Sequence, residues 1–529
     1  MFSGICGRGG RASSSFAIAT AANFLNWLER LTTPGDFKGH FRRAAFLFLL
    51  ALLIVLFLMP LFNAPFERDQ GTYATIARGW LQDALPYKDL WDNKGPLLFL
   101  WYAASFLLFG ENTLSPRIAA ALAAGASLPF LWAAARRLFD RRKAAIAAII
   151  YALSFANLYL QVAANGEIFM LLPMTAGFWA FVDGISRAPG ERRGLFSFFT
   201  AGFLTSLAIF TRQSAVMAFI AFFAWFAIIR FRRGGEESRN IISSVCSLLT
   251  GGVFGTLPFV IYFAIHGALY DLWYAMFGFN FAWASEQSFW LKFVPPLFIE
   301  PGPLAGGLIF WILAVVGCLE LWKRKDNPSL LVLVFLIASE IAAQVMGKGS
   351  AHYSVQLLPG AAIAAAFGCH RLYDWWKNGR PCTKFLLGAA VTINAAVLLF
   401  IFAMPTAESR FRVQYTFRDY ADDAIDAPAI AKEAAALSDP GGCVYEWGRS
   451  SQIFFLANRR PCSRWFYDRP YQSNKSMIFE VMADLQKRKP DLIILTSENP
   501  PPPELAELIS GSYDYAGQVR YARFYRRAD

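Results

Sequence analysis

The sequence predicts an α-helical membrane protein that crosses the bilayer many times and carries a small α/β domain at its C-terminal end. Of its 529 residues, 56% are hydrophobic and only 17% are charged, and the chain contains 51 Phe and 16 Trp. A soluble protein of this length rarely has so apolar a composition. Apolar segments of spanning length recur up to about residue 404, and a polar stretch follows them. These observations separate a membrane part from an extramembrane part.

Eleven apolar segments are long enough to be predicted as membrane spans. They cover residues 44–63, 115–138, 144–163, 167–186, 195–211, 213–231, 241–265, 303–322, 328–346, 351–372 and 384–404. Segment 97–109 would form only about 20 Å of helix, against a hydrocarbon core of about 30 Å, so we interpret it as short or re-entrant. Short tilted helices confuse such counts, which leaves eleven to thirteen spans open.

Basic residues concentrate in short connections between these segments, at 42–43, 136–143, 187–193, 230–233, 323–325 and 377–384. Such clusters stay on the cytoplasmic side of a membrane. We therefore predict a cytoplasmic segment 1–43 with a surface helix over 14–31, a membrane domain 44–404, and an extracytoplasmic domain 405–529. This clustering accounts for the net charge of +12, which otherwise favours nucleic-acid binding. No cleavable signal peptide is evident.

In the C-terminal domain, apolar runs predict strands over 443–447, 492–496 and 518–525, and an amphipathic helix over 475–487. Cys443 and Cys462 both lie in this domain. Thiol pairs outside the cytoplasm tend to oxidise, so we predict a disulfide between them; the alternative is two buried free cysteines. The seven Cys contain no CxxC, and with only four His they show no zinc or haem pattern.

The most informative stretch is the connection 64–96, which follows the first apolar segment. Apolar residues at helical spacing over 70–83 predict an amphipathic helix that lies on the membrane surface. Asp69 falls at its N-terminal end, where the helix dipole favours an ionised carboxylate. Pro86 and the Gly95-Pro96 pair end the helix and turn the chain back towards the membrane.

Four short motifs in this stretch carry a family resemblance. They are Asp69-Gln70, Tyr73, Tyr87-Lys88-Asp89 and Lys94-Gly95-Pro96-Leu97. The order resembles the first extracytoplasmic loop of the GT-C glycosyltransferases that use polyprenyl-phosphate sugars, which show Asp-Glu, Tyr, Tyr-x-Asp and Lys-Pro-Pro-Leu. These include the protein O-mannosyltransferases, the lipid A aminoarabinose transferases and the rhizobial galacturonosyltransferase-like proteins. Gln70 replaces the usual Glu, which removes one candidate metal ligand, and Gly95 replaces the first Pro.

The resemblance implies a GT-C fold, a polyprenyl-phosphate sugar as donor, inversion at the anomeric carbon and no required cofactor, with a divalent cation left open. Transfer to a hydroxyl needs a base for the proton and cations for the departing phosphate. The resemblance makes Asp69 the base and Lys94 a phosphate ligand. The alternative for Asp69 is a helix cap or an ion-pair partner of Arg68. The alternative for Lys94 is an anchor whose side chain snorkels to the membrane interface.

Further candidates extend this site to both sides of the donor sugar. Candidate ligands of the donor phosphate are Arg68, Arg212, His352 and Tyr353; candidates for binding the substrate are Tyr73, Tyr87, Asp89 and Glu167. An arginine between two apolar segments is costly unless it is paired or solvated, which favours a site at Arg212. For Glu167 the alternative is a charge at a helix N-terminus. We expect Asp89 and Asp92 to orient Lys94 or Lys88, with simple solvation as the alternative. We interpret 266–302 as an interfacial loop with aromatic anchors beside the site.

The first hypothesis is therefore a multi-pass glycosyltransferase of a bacterial inner membrane, with a periplasmic site. Its acceptor would be a hydroxyl of lipid A or the lipopolysaccharide core, a polysaccharide, a glycolipid or a protein. A flippase or transporter for lipid-linked saccharides is one alternative, but such proteins tend to show repeated halves and charges at the membrane midplane. An enzyme resembling O-antigen ligase is another, although those carry their large loop late in the chain.

Overall fold

The computed structural model describes residues 37–157, 163–233, 238–286, 290–295, 298, 306–345, 350–378, 381–414, 420–468, 470–471 and 474–528. The predicted surface helix over 14–31 lies outside the described residues. So do residues 158–162, 303–305 and 346, which belong to three predicted spans.

The membrane part is built from helices that follow the predicted apolar segments closely. In chain order they are α1 Phe37–Leu58, α2 Arg68–Leu81, α3 Pro96–Phe109, α4 Ser115–Leu138, α5 Arg141–Ser154, α6 Gly166–Ile185, α7 Arg192–Thr211, α8 Val216–Arg233, α9 Ser238–Ile265, α10 Leu269–Trp273, α11 Phe279–Glu286, α12 Leu308–Arg324, α13 Asn327–Gln344, α14 Leu358–Asn378 and α15 Pro381–Ala403. Short 3₁₀ turns at Met59–Asn63, Gln213–Ala215, Trp290–Lys292 and Ala351–Leu357 and a π turn at Tyr274–Gly278 connect some of them.

Seven of the described helices are long and apolar enough to cross a membrane. They correspond to α1, α4, α6, α7, α8, α9 and α13. The other four predicted spans are also helical, but α5 and α12 have only 14 and 17 residues and α14 ends in a polar stretch. Helix α3, with 14 residues, matches the segment predicted to be short. The chain is thus a polytopic membrane protein, and its exact number of crossings stays a prediction.

Helices α7 and α9 approach each other more closely than side chains normally permit. A Cβ atom at Gly202 would meet the carbonyl oxygen of Leu248, and one at Gly251 would meet that of Phe199. Helices in a bilayer gain little from hydrophobic contact with each other, so such small residues let backbones pack directly.

The C-terminal domain is a five-stranded mixed sheet with helices around it. Its elements are α16 Ala407–Gln414, α17 Tyr420–Ala436, β1 Cys443–Trp447, α18 Gln452–Leu456, β2 Arg460–Pro461, α19 Met477–Arg488, β3 Leu492–Leu495, α20 Pro503–Ser512, β4 Tyr513–Val519 and β5 Ala522–Arg527. The strand order is β2-β1-β3-β5-β4, with β1 parallel to β2 and β3, and β5 antiparallel to β3 and β4. The central strand β3 is buried throughout, as expected for the middle of a covered sheet.

Two details of this domain refine the sequence prediction. Residues 518–525, predicted as one strand, are the tip of a hairpin, because Arg520 adopts a left-handed conformation with φ 57° and reverses the chain between β4 and β5. Cys443 at the start of β1 and Cys462 just after β2 are joined by a disulfide.

The C-terminal domain rests on the first loop. Gly71 of α2 lets the backbone of Gln452 in α18 approach its Cα directly. The guanidinium of Arg78 donates to the carbonyl oxygen of Phe455 at 3.0 Å, and the backbone N–H of Trp91 donates to the carbonyl oxygen of Arg464 at 3.0 Å. The helix predicted to lie on the membrane surface, α2, is covered by this domain, and its residues 70–78 are all buried. Its placement on a membrane surface stays a prediction.

The two ends of the helix bundle differ in charge. Glu167 lies in the first turn of α6, at the end of the bundle that carries the first loop. Asp183 of the same helix lies about 24 Å further along, at 1.5 Å per residue. Asp183 accepts a 2.9 Å hydrogen bond from Arg187 and pairs with Arg137. The basic connections at 136–143 and 187–193 thus lie at the end of the bundle opposite to the C-terminal domain.

Candidate active site

The N-terminal turn of α2, the end of the first loop and the C-terminal domain meet around one cleft. Its lining residues are Arg68, Asp69, Thr72, Asp92, Asn93, Lys94, Phe279, Arg449, Ser451 and Tyr467. The fold thereby brings together three residues predicted from the sequence motifs, namely Asp69, Lys94 and Arg68.

Lys94 presents a positioned positive charge to this cleft. Its Nζ donates to Oδ1 of Asn93 at 2.7 Å, lies 3.8 Å from Oδ1 of Asp92, and lies 5.9 Å from the ring centre of Tyr73. The side chain is 18% exposed. A carboxylate on one side and an aromatic face on the other hold the ammonium group in place.

Asp92 orients Lys94 and is itself held by the C-terminal domain. Its Oδ1 accepts the backbone N–H of Lys94 at 3.0 Å, and its Oδ2 accepts the hydroxyl of Tyr467 at 2.9 Å. Burial raises the pKa of Asp92. Contacts with Lys94 and Tyr467 act to lower this pKa, whereas the charge of the nearby Asp69 acts to raise it. Asp92 is therefore an orienting residue, and not the solvated loop carboxylate of the alternative interpretation.

Asp69 lies in the first turn of α2, where the unpaired N–H groups and the helix dipole stabilise a carboxylate. Its side chain is partly exposed at the cleft. The neighbouring Arg68 directs its guanidinium towards the C-terminal domain, with Nη1 3.9 Å from Oδ2 of Asp423. A partly exposed carboxylate near a fixed lysine is able to accept a proton from a bound hydroxyl.

A second cluster gathers the later candidates at the ends of three connections. Glu167 lies in the first turn of α6, Arg212 separates α7 from the next turn, and His352 and Tyr353 lie in the 3₁₀ turn before α14. Arg212 Nη2 lies 2.9 Å from Oε1 of Glu167, and His352 Nε2 lies 3.4 Å from the same oxygen. The guanidinium of Arg212 stacks 4.7 Å from the ring centre of Tyr353.

Tyr73 lies between the two clusters. Burial raises its pKa well above the usual range, and the carboxylates of Asp69, Asp92 and Glu167 act in the same direction, whereas Arg212 opposes them. Charged residues of both clusters therefore act electrostatically on this one tyrosine.

The two predicted tyrosines and Asp89 are structural neighbours of the site and do not line the cleft. Tyr73 and Tyr87 are buried, and the hydroxyl of Tyr87 donates to the carbonyl oxygen of Lys94 at 2.7 Å. Asp89 accepts the backbone N–H of Leu85 at 2.7 Å and stabilises the turn before it. The polar groups of Tyr87 and Asp89 are committed to the loop, and none of the three residues is in the cleft lining. Direct substrate binding by these residues stays a prediction.

The two departures from the family motif have local explanations. Gln70 is buried, donates to Oε1 of Glu67 at 3.1 Å, and accepts from Nε of Arg117 at 3.1 Å. An amide can do both, whereas a carboxylate only accepts. At Gly95, any Cβ atom would collide with the backbone of Phe210. The same contact excludes the proline that the motif usually has.

The described residues contain no group of three or more His, Cys, Asp or Glu side chains that could hold a metal ion. Gln70, which stands where the motif has a second acid, contacts Glu67 and Arg117 and is absent from the cleft lining. The residues present offer an ammonium group and guanidinium groups to a phosphate.

The connection 266–302, predicted as a loop, is largely helical where it is described, since apolar and aromatic residues recur at helical spacing in α10 and α11. Phe279 lines the cleft, and Oδ1 of Asn280 accepts a 2.9 Å hydrogen bond from Asn93. Its position beside the site agrees with the prediction. Its aromatic residues differ in exposure: Trp283 is buried, whereas Trp290 is exposed.

From the sequence we expect the C-terminal domain to lie beside the site and to help choose the acceptor, but the sequence does not identify its contacting residues. Arg449, Ser451 and Tyr467 reach the cleft from more than 350 residues beyond Asp92 in the chain. Only one local signal pointed there, namely a Gly followed by polar residues at the carboxyl end of the predicted strand 443–447.

Comparisons with known proteins agree with this architecture. Residues 93–281 match the family model described as dolichyl-phosphate-mannose-protein mannosyltransferase. No match to a curated protein sequence reaches significance. A crystal structure of ArnT from Cupriavidus metallidurans bound to undecaprenyl phosphate superimposes with a TM-score of 0.59 at 15% identity, covering 91% of this chain and 97% of that one. The apo oligosaccharyltransferase of Archaeoglobus fulgidus gives 0.53 at 12% identity, covering 87% and 70%.

The fold and the cleft define a polytopic membrane protein with the GT-C fold and an extramembrane domain over its site. The family match over residues 93–281 and the shared fold make the chain similar to the GT-C glycosyltransferases.

Proposed function

We propose that the protein transfers a sugar from a polyprenyl-phosphate donor to a hydroxyl of a cell-envelope acceptor, with inversion at the anomeric carbon. The observation that carries the proposal is that Asp69 and Lys94 line one cleft, so that a base and a phosphate-binding cation face the same space. Lipid A or its core, a polysaccharide, a glycolipid or a protein would supply the hydroxyl.

The geometry suits a single displacement. The acceptor oxygen attacks the anomeric carbon while Asp69 takes its proton, and the bond from that carbon to the phosphate oxygen breaks. The electron pair leaves with the phosphate, which needs no proton because it is stable as an anion. Lys94 stabilises the charge that develops on it. Attack opposite to the leaving phosphate inverts the anomeric centre.

The second cluster would bind the remaining parts of the donor. Arg212, His352 and Tyr353 are candidates for the donor phosphate together with Lys94, and Glu167 is a candidate for sugar hydroxyls. Arg212 is already neutralised by Glu167 at 2.9 Å, so it would share its remaining N–H donors with a ligand. Arg68 is a further candidate for the phosphate, because it lines the cleft with Lys94.

Relatives support a lipid-phosphate donor. ArnT was crystallised with undecaprenyl phosphate, and the oligosaccharyltransferase AglB of Archaeoglobus fulgidus, with a TM-score of 0.52 at 13% identity, is known in complex with dolichol phosphate and an inhibitory peptide. The matched family model is named for a dolichyl-phosphate sugar. The shared element is a polyprenyl phosphate, which is the group that Lys94 would bind here.

We assign the basic end of the bundle to the cytoplasm, which gives the cleft and the C-terminal domain a periplasmic location in a bacterial inner membrane. The support is the pairing of Asp183 with Arg137 and Arg187 at the far end of α6 from Glu167.

Binding of a panel of polyprenyl-phosphate monosaccharides to the protein in nanodiscs tests this function. Asp69→Asn should bind the preferred donor as tightly as the wild type but lose transfer by roughly 10²- to 10⁴-fold, as removal of a general base does. Lys94→Ala should weaken donor binding. Lys88→Ala, on an exposed lysine that contacts the carbonyl oxygen of His266, is the matched control.

Full transfer by Asp69→Asn would overturn the role of Asp69. Binding of a diphosphate-linked oligosaccharide in place of every monophosphate donor would overturn the donor class, and would favour the ligase or flippase alternative.

A further inference from the structure

We propose that Arg449, on the loop 448–451 of the C-terminal domain, binds an anionic group, a phosphate or a carboxylate, carried by a substrate beside the transfer site. This inference rests on the proposed function, because it assigns a charge to a substrate of the same cleft. We call residues 448–451 the Arg449 loop.

Arg449 has the exposure and the donors that such a role needs. It lines the cleft with Asp69 and Lys94, and its side chain is 45% exposed. Its Nε donates to Oδ1 of Asp468 at 3.3 Å, and the Asp468 side chain is only 8% exposed. A guanidinium has five N–H donors, and a contact through Nε orients the outer edge that binds phosphates and carboxylates in pairs of hydrogen bonds.

The Arg449 loop is held rigidly from within its own domain. The carboxyl group of the buried Glu446 accepts the backbone N–H of Ser450 at 3.2 Å and the hydroxyl of Thr496. The carbonyl oxygen of Gly448 accepts the N–H of Asp468 at 2.7 Å. Gly448 has φ 156°, and a Cβ atom there would collide with Thr496. A loop braced in this way presents its arginine in a defined position.

The same loop is tied to the helix turn that carries Asp69. Ser451 Oγ donates to the carbonyl oxygen of Arg68 at 3.0 Å and lies 2.6 Å from Oγ1 of Thr72. Ser451 is buried in this contact. Because Arg68 directly precedes Asp69, the loop and the proposed base keep a fixed separation.

Charge indicates which ligand the loop receives. The cleft already contains Lys94 for the departing phosphate, next to Asp92 at 3.8 Å. Arg449 is a further cation beside Lys94 and Arg68. It comes from the domain outside the bundle, whereas a lipid-linked donor enters from the bilayer. An anion at Arg449 is therefore a separate group, carried either by the acceptor or by the transferred sugar.

Two matched pairs of probes distinguish these sources, with the full-length protein in nanodiscs. The first pair is a polyprenyl-phosphate hexose and the corresponding polyprenyl-phosphate hexuronic acid. The second is a neutral glycoside and its phosphate monoester as acceptor analogues. Affinities are measured for the wild type, Arg449→Ala, Arg449→Lys and the control Arg526→Ala, which removes an exposed arginine from strand β5 of the same domain.

We expect Arg449→Ala to weaken the anionic member of one pair by roughly tenfold to a hundredfold, which is the usual range for losing hydrogen bonds to a charged group, with the neutral member unchanged. Arg449→Lys should lie between, because it keeps the charge but loses the paired donors. Loss on the hexuronic acid assigns the anion to the sugar; loss on the phosphate monoester assigns it to the acceptor. Arg526→Ala should match the wild type.

The inference is overturned if the wild type prefers neither anionic probe, or if Arg449→Ala keeps the preference. Since Arg449→Ala leaves Asp468 without this contact, unfolding midpoints are compared, and Arg449→Lys decides the matter if Arg449→Ala is unstable. If Arg449 shows no anion preference but donor binding is intact and still depends on Lys94, the proposed function stands and only the Arg449 inference fails. If neither the wild type nor any variant binds a donor, both the inference and the proposed function are refuted.

Discussion

The hydroxyl of Tyr467 donates a 2.9 Å hydrogen bond to Oδ2 of Asp92 across 375 positions of the chain. The other oxygen of Asp92 accepts the backbone N–H of Lys94. The C-terminal domain therefore takes part in orienting the lysine of the cleft, and is more than a cover over it.

This relationship predicts that Asp92→Asn separates positioning from binding. The variant keeps the charge of Lys94 and an oxygen for its backbone N–H, but it loses the carboxylate that holds Nζ. We expect kcat to fall by roughly tenfold with donor affinity near the wild-type value, because misplacement of a catalytic group mainly affects the reacting geometry.

Asp89→Asn is the control, because the described hydrogen bond of the Asp89 side chain is to the backbone of Leu85 in the turn and not to Lys94. A loss of donor affinity as large as that of Lys94→Ala would show that Asp92 acts in binding and not in positioning. Tyr467→Phe should reproduce part of the kcat effect, because it removes one of the two hydrogen bonds that Asp92 is described as accepting.

Glu446 predicts a pH-dependent stability of the C-terminal domain. Burial raises the pKa of its carboxyl group from 4.5 to about 8, although the hydrogen bond from Thr496 opposes the shift. A carboxyl group whose pKa is raised on folding stabilises the fold fully below its unfolded pKa, and this contribution is lost as pH rises through the folded pKa. Domain stability should therefore decline between about pH 4.5 and pH 8.

Hydrogen exchange of β1 amides across this range measures the effect. Glu446→Gln should remove the Glu446 part of the decline, so that the variant gains stability relative to the wild type as pH rises. Glu498→Gln, on an exposed carboxylate of the same domain, should follow the wild type. Parallel pH curves for wild type and Glu446→Gln would contradict the assignment.

The backbone contact at Gly95 makes the motif departure testable. Gly95→Ala places a methyl group against the carbonyl of Phe210, and overpacking of this kind costs about 1–3 kcal/mol. We expect a lower unfolding midpoint in detergent together with weaker donor binding, since Lys94 is the preceding residue. Gly388→Ala is the control, because a methyl group there meets no described atom within 4 Å. An unchanged midpoint for Gly95→Ala would mean that α3 and α7 separate easily.

The buried pair of Glu167 and Arg212 predicts strong coupling between their substitutions. Their side chains are 2% and 13% exposed, and removing one partner of a buried pair leaves an uncompensated charge at a cost of about 3–5 kcal/mol. Arg212→Gln alone should be strongly destabilised, whereas Glu167→Gln with Arg212→Gln should recover much of the loss. A double-mutant cycle on unfolding midpoints measures this, and additive effects would contradict the pairing.

Local sequence signals gave the membrane helices and the half of the site that lies in one loop. Hydropathy follows from composition within about twenty residues, and the motif order joined Asp69 to Lys94 across a single connection. Arg449 and Tyr467 reach the same cleft by tertiary packing over hundreds of residues, which no local pattern encodes. The hairpin at Arg520 was missed for a different reason: a non-glycine residue adopts the left-handed turn, without the Gly or Asn that usually signals one.

The pairing of Cys443 with Cys462 tests both the domain fold and its location. The protein has seven Cys, so a denatured, unreduced sample should expose five thiols. The bond closes a loop with a sequence separation of 19, and its removal in Cys443→Ser should cost the domain about 3 kcal/mol. Thiol–disulfide exchange keeps such pairs reduced in the cytoplasm. Expression in cells without periplasmic thiol oxidation should therefore raise the number of accessible thiols towards seven. Seven accessible thiols in cells with normal periplasmic oxidation would rule out the disulfide, which would then no longer support an external location of the domain.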